Sequence, residues 1–238
     1  MTPQNPQTPR AFLQGSRQHS AWFAPLSNTE PVAEGRESKV FERPGKASQL
    51  IKVPREEVVE SLKASRAIKH RLRRLSGVGP YKIFLRHGKA YRDAILRAAY
   101  LGYPPPIAHP RGILLTDLGL GLIVQKIRDR EGNLAPTLRQ LARAGRIDTN
   151  TIRALTRFAH EIREFRIITT DLNPTNLVYE TRHERSRIVL IDGYGSRALI
   201  PLRRWSRRIN DRRLAQQLQI LADRIGINWD YQDWSFYS

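Results

Sequence analysis

The stretch Asp171-Leu172-Asn173-Pro174-Thr175-Asn176 follows a helical pattern and immediately precedes a strand pattern. An aspartate five residues ahead of an asparagine, with a proline between them, makes a stiff loop that aims both side chains the same way. Such an aspartate can orient a hydroxyl and accept its proton, and the asparagine amide oxygen can ligate Mg²⁺. Asp, Asn and Pro also build plain Asx-type turns, so the loop alone is open to both readings. The next apolar strand, Val189-Leu190-Ile191, delivers Asp192 and then Gly193-Tyr194-Gly195. A carboxylate at a strand end, one hairpin after the asparagine, is placed to hold a metal that bridges two phosphates. An Asp-Gly pair is equally an ordinary turn signal.

A third piece lies far upstream. Lys39-Val40-Phe41-Glu42 reaches the breaker cluster Arg43-Pro44-Gly45-Lys46, and Leu50-Ile51-Lys52-Val53 follows as a second strand. Gly35 to Ser38 lead into the first of these strands. A small residue at a tight turn lets backbone N–H groups approach phosphate oxygens, and a lysine on the adjacent strand can reach the same phosphates. An ordinary hairpin with one strand lysine has the same appearance.

The remaining chain alternates period. Val58, Leu62, Ile68, Leu72 and Leu75 predict a basic helix over 55–75, stopped by Gly77 and Gly79-Pro80. A second helix is expected from Tyr91 to Leu101, then a hairpin with strands over 112–116 and 120–127, and a polar linker over 128–136. A short helix follows at 137–144. Asp148 or Thr149 caps the next, whose apolar face is Ile152, Leu155, Phe158, Ile162 and Phe165. Short strands at 177–179 and 188–191, a basic stretch at 203–208 and a helix over 211–225 complete the pattern. Trp205, Trp229 and Trp234 read as packing anchors. Residues 1–28, proline-bearing and without an acid, read as a flexible tail.

Composition narrows the chemistry. Lys and Arg number 41 against 22 Asp and Glu, a net charge of +19, which favours an anionic partner. The absence of cysteine excludes disulfides, a thiol nucleophile and Cys-ligated metal. The six histidines lack the spacing of a metal site. No apolar run is long enough for a membrane span, and no signal-peptide core stands at the N-terminus, so a cytoplasmic protein is expected.

Taken in order, the glycine turn, strand lysine, D-x-x-x-x-N loop and Asp-Gly resemble the protein kinase signature set. More narrowly the chain resembles the YrbL family of small kinase-like proteins. The likeness lies in Leu50–Val53, Gly121–Val124 with Asp129–Gly132, Asp171–Leu177, and Leu190–Gly195 continuing to Leu199–Leu202 and Trp205-Ser206. The resemblance implies an α+β, bilobal protein-kinase-like fold with a β-rich N-lobe and a truncated helical C-lobe. The N-lobe would span 29–127, with a basic helical insertion at 54–88, and the C-lobe 128–238. It further implies ATP and Mg²⁺, with transfer of the γ-phosphoryl group to an unidentified acceptor.

In that scheme Lys52 contacts the α- and β-phosphates, and Gly35, Ser38 and Val40 cover the nucleotide. Asp171 is the catalytic base, Asn176 and Asp192 hold the metal, and the hinge lies near Lys126–Asp129. Asp93 on the 91–101 helix is the candidate partner of Lys52. The chain departs from general kinases in having one loop glycine, Thr169-Thr170 before the catalytic Asp, and Asp192-Gly193-Tyr194. Only 46 residues follow Asp192, too few for a large helical substrate platform. Two other readings remain at this point: a pseudokinase serving as a binding or regulatory module, and a basic nucleic-acid-binding protein. Arg66, Arg71, Arg73 and Arg74 form a candidate patch for weak polyanion contact.

Overall fold

Ile51 and Val53 are buried on one face of their strand, while Leu50 and Lys52 point to the other, the two-residue alternation of a pleated strand. A sheet grows around this strand in the computed structural model, which describes residues 23–64, 81–181, 185–195 and 207–238. Its elements are β1 (Phe23–Ala24), β2 (Ala33–Glu34), β3 (Ser38–Glu42), β4 (Gln49–Pro54), α1 (Glu56–Ala64), α2 (Lys82–Leu101), β5 (Pro110–Thr116) and β6 (Gly119–Gln125). The six strands lie in the order β1-β5-β6-β4-β3-β2, with β1 parallel to β5 and every other pair antiparallel.

Each sheet face has its own cluster. Phe41, Ile51, Val53, Leu114 and Ile123 pack with Ala24 and Leu26 on one face. The packing is tight enough that a Cβ at Gly121 would lie 2.5 Å from Ile51 Cγ2. The opposite face carries Leu50, Leu122 and Val124 against Phe84 of α2. The Asp117 carboxylate in the β5–β6 turn accepts the backbone N–H groups of Leu26 (2.7 Å) and Ser27 (2.9 Å), which ties the start of the described chain to the sheet.

The C-lobe holds α3 (Leu138–Arg143), α4 (Thr149–Glu164), β7 (Leu177–Glu180), β8 (Arg187–Leu190), α5 (Arg207–Ile225), β9 (Asn228–Asp230) and β10 (Ser235–Tyr237). Leu155, Phe158 and Ile162 of α4 are fully buried against Leu177, Ile188 and Leu190 of the β7–β8 hairpin and Leu214, Leu218 and Leu221 of α5. Each such side chain contributes roughly 1.5–3 kcal/mol on burial. The architecture is therefore α+β and bilobal, as the resemblance implies.

The lobes join at the back of the molecule. Leu190 N–H donates to Pro106 O and Ala108 N–H donates to Leu190 O, both at 2.9 Å, so the α2–β5 connection runs parallel to the end of β8. This pairing carries the residues after β8 under the sheet.

Four sequence expectations change here. The 91–101 helix begins at Lys82, so the expected insertion of 54–88 ends inside α2. Phe84 and His87, both buried, hold those first turns, and Gly88 is accommodated within the helix. The tail boundary at 28 gives way to order from Phe23, because β1 pairs with β5 and Leu26 is fully buried. The 128–136 linker is folded back on itself by the Arg128–Leu134 bridge and buries Ala135. The β9–β10 hairpin was not foreseen. It buries Trp229, Trp234 and Phe236, with the Arg163 guanidinium 4.4 Å from the Trp234 ring centre. Of the 55–75 helix, α1 accounts for 56–64. The rest of it, residues 1–22, the Arg66, Arg71, Arg73 and Arg74 patch, and Leu199–Ser206 with Trp205 lie outside the described residues.

Asp148 caps α4, accepting from Thr151 N–H (2.8 Å) and Oγ1 (2.7 Å), and these bonds hold its carboxyl below the usual range. Asp148→Ala is expected to cost about 1 kcal/mol in urea unfolding at pH 7. Because the folded-state pKa is depressed, the stabilisation is present above the ordinary carboxyl range and is lost as pH falls below that range through the folded-state pKa. The gap between variant and wild type should therefore narrow as the solution is made more acidic than the ordinary carboxyl range; a gap that stays constant down to full protonation would exclude the ionised cap as its source.

Candidate functional site

Lys52 sits mid-strand on β4, paired with Val40 of β3 on one side and Leu122 of β6 on the other. Its side chain is 14% exposed and reaches into the cleft between sheet and C-lobe. There its ammonium donates to Asp192 Oδ2 at 2.5 Å, joining residues 140 apart in sequence. Asp93, the expected partner, is not the carboxylate on Lys52. The acid comes from the C-lobe because the β8–Pro106 pairing delivers Asp192 beneath β4.

Asp192 Oδ1 accepts the Gly193 N–H at 2.7 Å and lies 3.5 Å from His87 Nε2 of α2. Burial pushes this carboxyl upward, but the Lys52 ammonium, the nearby His87 and the two hydrogen bonds outweigh it and hold the pKa at about 2. His87 stacks on Tyr194 with ring centres 4.3 Å apart, and the Tyr194 hydroxyl donates to Ala108 O at 3.0 Å. Burial, reinforced by the Asp192 charge, pushes the phenol well up, so it remains a donor.

The Asp171–Asn176 loop is fastened to the same place. Thr170 donates to Gly193 O through its N–H (2.7 Å) and its hydroxyl (3.0 Å), Gly195 N–H donates to Ile168 O, and Thr169 bridges Tyr194. Gly193 is at φ +77°, and a Cβ there would lie 2.5 Å from Asp171 O and 3.3 Å from Asn176 Nδ2. Glycine is required at 193 for the two segments to approach this closely. Within the loop, Asn173 Oδ1 accepts Thr175 N–H and hydroxyl, and Asn176 N–H donates to Asn173 O at 2.8 Å. The Asx-type turn and the convergence of Asp171 with Asn176 are therefore one structure. Asp171 itself is exposed.

The glycine turn is closed on itself, Gly35 N–H donating to Ser38 O at 2.8 Å. Arg55 clamps it from outside by donating to Gly35 O (3.0 Å) and Glu34 Oε2 (2.5 Å). Ser38 stands opposite Pro54, and Val40 opposite Lys52, so the turn caps the strand end beyond the lysine.

Two contributors escaped the sequence reading. His87 was passed over because histidines were weighed only by metal-site spacing. Gln217 of α5 accepts the Thr169 hydroxyl beneath the loop, a contact between residues 48 apart that no local pattern announces.

A strand lysine thus meets an aspartate that follows a C-lobe hairpin, with an Asp/Asn loop beside it, in a bilobal α+β fold. The family model of the PhoP regulatory network protein YrbL matches residues 25–226, and the chain belongs to that family. No curated protein matches it significantly. Among the described residues no helix is long and apolar enough to cross a membrane.

Lys52→Met removes the leading influence that lowers the Asp192 carboxyl and leaves the burial that raises it. Its pKa should rise from about 2 toward the ordinary carboxyl range, with His87 and the Gly193 N–H still drawing it down, read by carbon NMR titration of the carboxylates. A value still near 2 in the variant would show that Lys52 does not control this group.

Proposed function

We propose that this chain binds ATP with Mg²⁺ in the cleft and transfers the γ-phosphoryl group to an acceptor. The reading is supported above all by the meeting of Lys52 and Asp192 across the lobes, with Asp171 and Asn176 fastened beside them through Gly193. A cation and a carboxylate at contact distance suit the two halves of a phosphate–metal pair: Lys52 would hold the phosphate oxygens and Asp192 the metal.

The donor set suits Mg²⁺. Asp192 and Asn176 offer a carboxylate and an amide oxygen, and this ion completes its shell with water and phosphate oxygens. When bound, Mg²⁺ neutralises charge on the phosphates. Lys52 orients the α- and β-phosphates, and the Gly35–Ser38 turn with Val40 covers the nucleotide. The exposed Asp171 accepts the proton of the acceptor hydroxyl as its oxygen attacks the γ-phosphorus and ADP leaves.

Heating the protein with and without ATP and Mg²⁺ tests the reading directly. A ligand at 100 times its Kd adds about 2.7 kcal/mol to folding, so the melting temperature should rise by several degrees with both present. Asp192→Asn should abolish the Mg²⁺-dependent part of that rise with the fold intact. Asp171→Ala should lower turnover, read as slow ATP hydrolysis, by about 10²-fold with nucleotide affinity nearly unchanged. Nucleotide binding with no hydrolysis in the wild type would favour a pseudokinase, and no binding at all would end the nucleotide reading.

A further inference from the structure

On the nucleotide reading, Lys52 divides its three N–H donors between the phosphates and Asp192, and its hold on Oδ2 weakens. At the other Asp192 oxygen stand the Gly193 N–H at 2.7 Å and His87 Nε2 at 3.5 Å. We propose that His87 is the positioning residue of this site: from α2 it keeps the Asp192 carboxylate aimed into the cleft when Lys52 shares its donors with phosphate.

Three observations carry this. His87 is only 2% exposed, deep for a side chain with two polar nitrogens, and a purely apolar residue would fill such a place at less cost. Its ring cannot swing freely, because it stacks on Tyr194 at an interplanar angle of 21° and Tyr194 is hooked to Ala108 O. The helix bearing it is itself held on both sides. Phe84 packs into the sheet face that carries Leu50, Leu122 and Val124. At the other side, a Cβ on Gly195 would come within 2.7 Å of Arg86 Cγ, so the segment after Asp192 lies directly against α2. The 3.5 Å separation is longer than an ordinary hydrogen bond, and a shift of the carboxylate toward α2 would close it.

In the structure Asp192 meets neighbours from three directions: the sheet through Lys52, its own backbone through Gly193, and α2 through His87. The helix contribution that a carboxylate such as Asp93 would make to the lysine is made here by an imidazole to the aspartate. Any displacement of α2 moves a neighbour of the metal-holding residue.

The experiment is calorimetric titration of the full chain with ATP over a series of Mg²⁺ concentrations and in EDTA. It compares wild type, His87→Phe, which keeps the ring and loses the nitrogen, and His87→Gln, whose amide nitrogen falls near Nε2 without a ring. Outer-shell partners of metal ligands are worth about 10–100-fold in metal affinity, so His87→Phe should weaken the apparent Mg²⁺ affinity about 10-fold. ATP affinity in EDTA should stay within about twofold, and His87→Gln within about threefold of wild type for Mg²⁺. If His87→Phe does not fold, His87→Asn, whose amide stops short of Asp192, replaces it and should show the same loss. A nitrogen-free variant with wild-type Mg²⁺ dependence would overturn the inference and leave the nucleotide reading standing; so would a His87→Gln as impaired as His87→Phe, which would mark a packing role. Absence of Mg²⁺-dependent ATP binding in the wild type would overturn both.

Discussion

The bond between Lys52 and Asp192 is the point on which the cleft is organised. A buried ammonium and a partly buried carboxylate are each costly alone, and at 2.5 Å each removes much of the other's penalty. The pair can form only if β4 and the end of β8 are brought to one place, which requires both the central position of β4 in the sheet and the parallel pairing of β8 with the Pro106–Ala108 segment. Sheet order, the α2–β5 connection and the length of the β7–β8 hairpin therefore converge on one contact. Loss of either partner would leave an uncompensated charge at the lobe boundary, a larger effect than the worth of the pair itself.

Behind that pair, the C-lobe supplies rigidity in layers. Residues 168–170 and 193–195 bind one another through Thr170, Gly193, Ile168 and Gly195, so neither loop moves independently. Thr169 passes the constraint to Gln217, and α5 is in turn packed on α4 by Leu214, Leu218 and Leu221. The Arg163–Asp211 pair at 3.1 Å and the seating of Trp229, Trp234 and Phe236 against α4 close the far side. The loop is held firmly because α5 stands beneath it and the β9–β10 hairpin packs on α4 behind.

The loop Asp171–Asn176, the strand lysine and the Asp-Gly pair were legible in sequence because their chemistry is local: turn formers and strand ends declare themselves within a few residues. The partner of Lys52 was not, since it depends on the register between two lobes. Asp93 lies on the right helix, yet the residue of α2 that reaches the site is His87, nearly two turns earlier. That part of α2 was assigned to an insertion because Gly79-Pro80 and Gly88 break the apolar period before Tyr91 establishes it again. Burial of Phe84 and His87 pays the propensity cost of Gly88, a tertiary effect absent from any local window. The β9–β10 hairpin was missed for a similar reason. Its strands have three residues each and owe their stability to aromatic contacts with α4, and the tryptophans were legible as anchors before their strands were.

The ties between the lobes differ in kind, and that difference bears on how the cleft can work. At the hinge, Arg128 donates to Ala47 O in the β3–β4 turn, Lys126 pairs with Glu42 at 2.5 Å, and Arg130 N–H donates to Thr181 Oγ1 in the C-lobe. At the back, the tie is a strand pairing of backbone groups. The back tie offers nothing that a ligand could replace without breaking secondary structure, and the hinge contacts are exposed to solvent. The Lys52–Asp192 tie is made of two charged side chains, each able to take a new partner of the same sign as the one it gives up. In a chain of net charge +19, an anion approaching Lys52 is favoured at long range. On the nucleotide reading, anion and metal ion would be coupled. Phosphate drawing on Lys52 would loosen its hold on Asp192, and Asp192 would then be the residue to hold Mg²⁺, while the back tie keeps β4 and the end of β8 together.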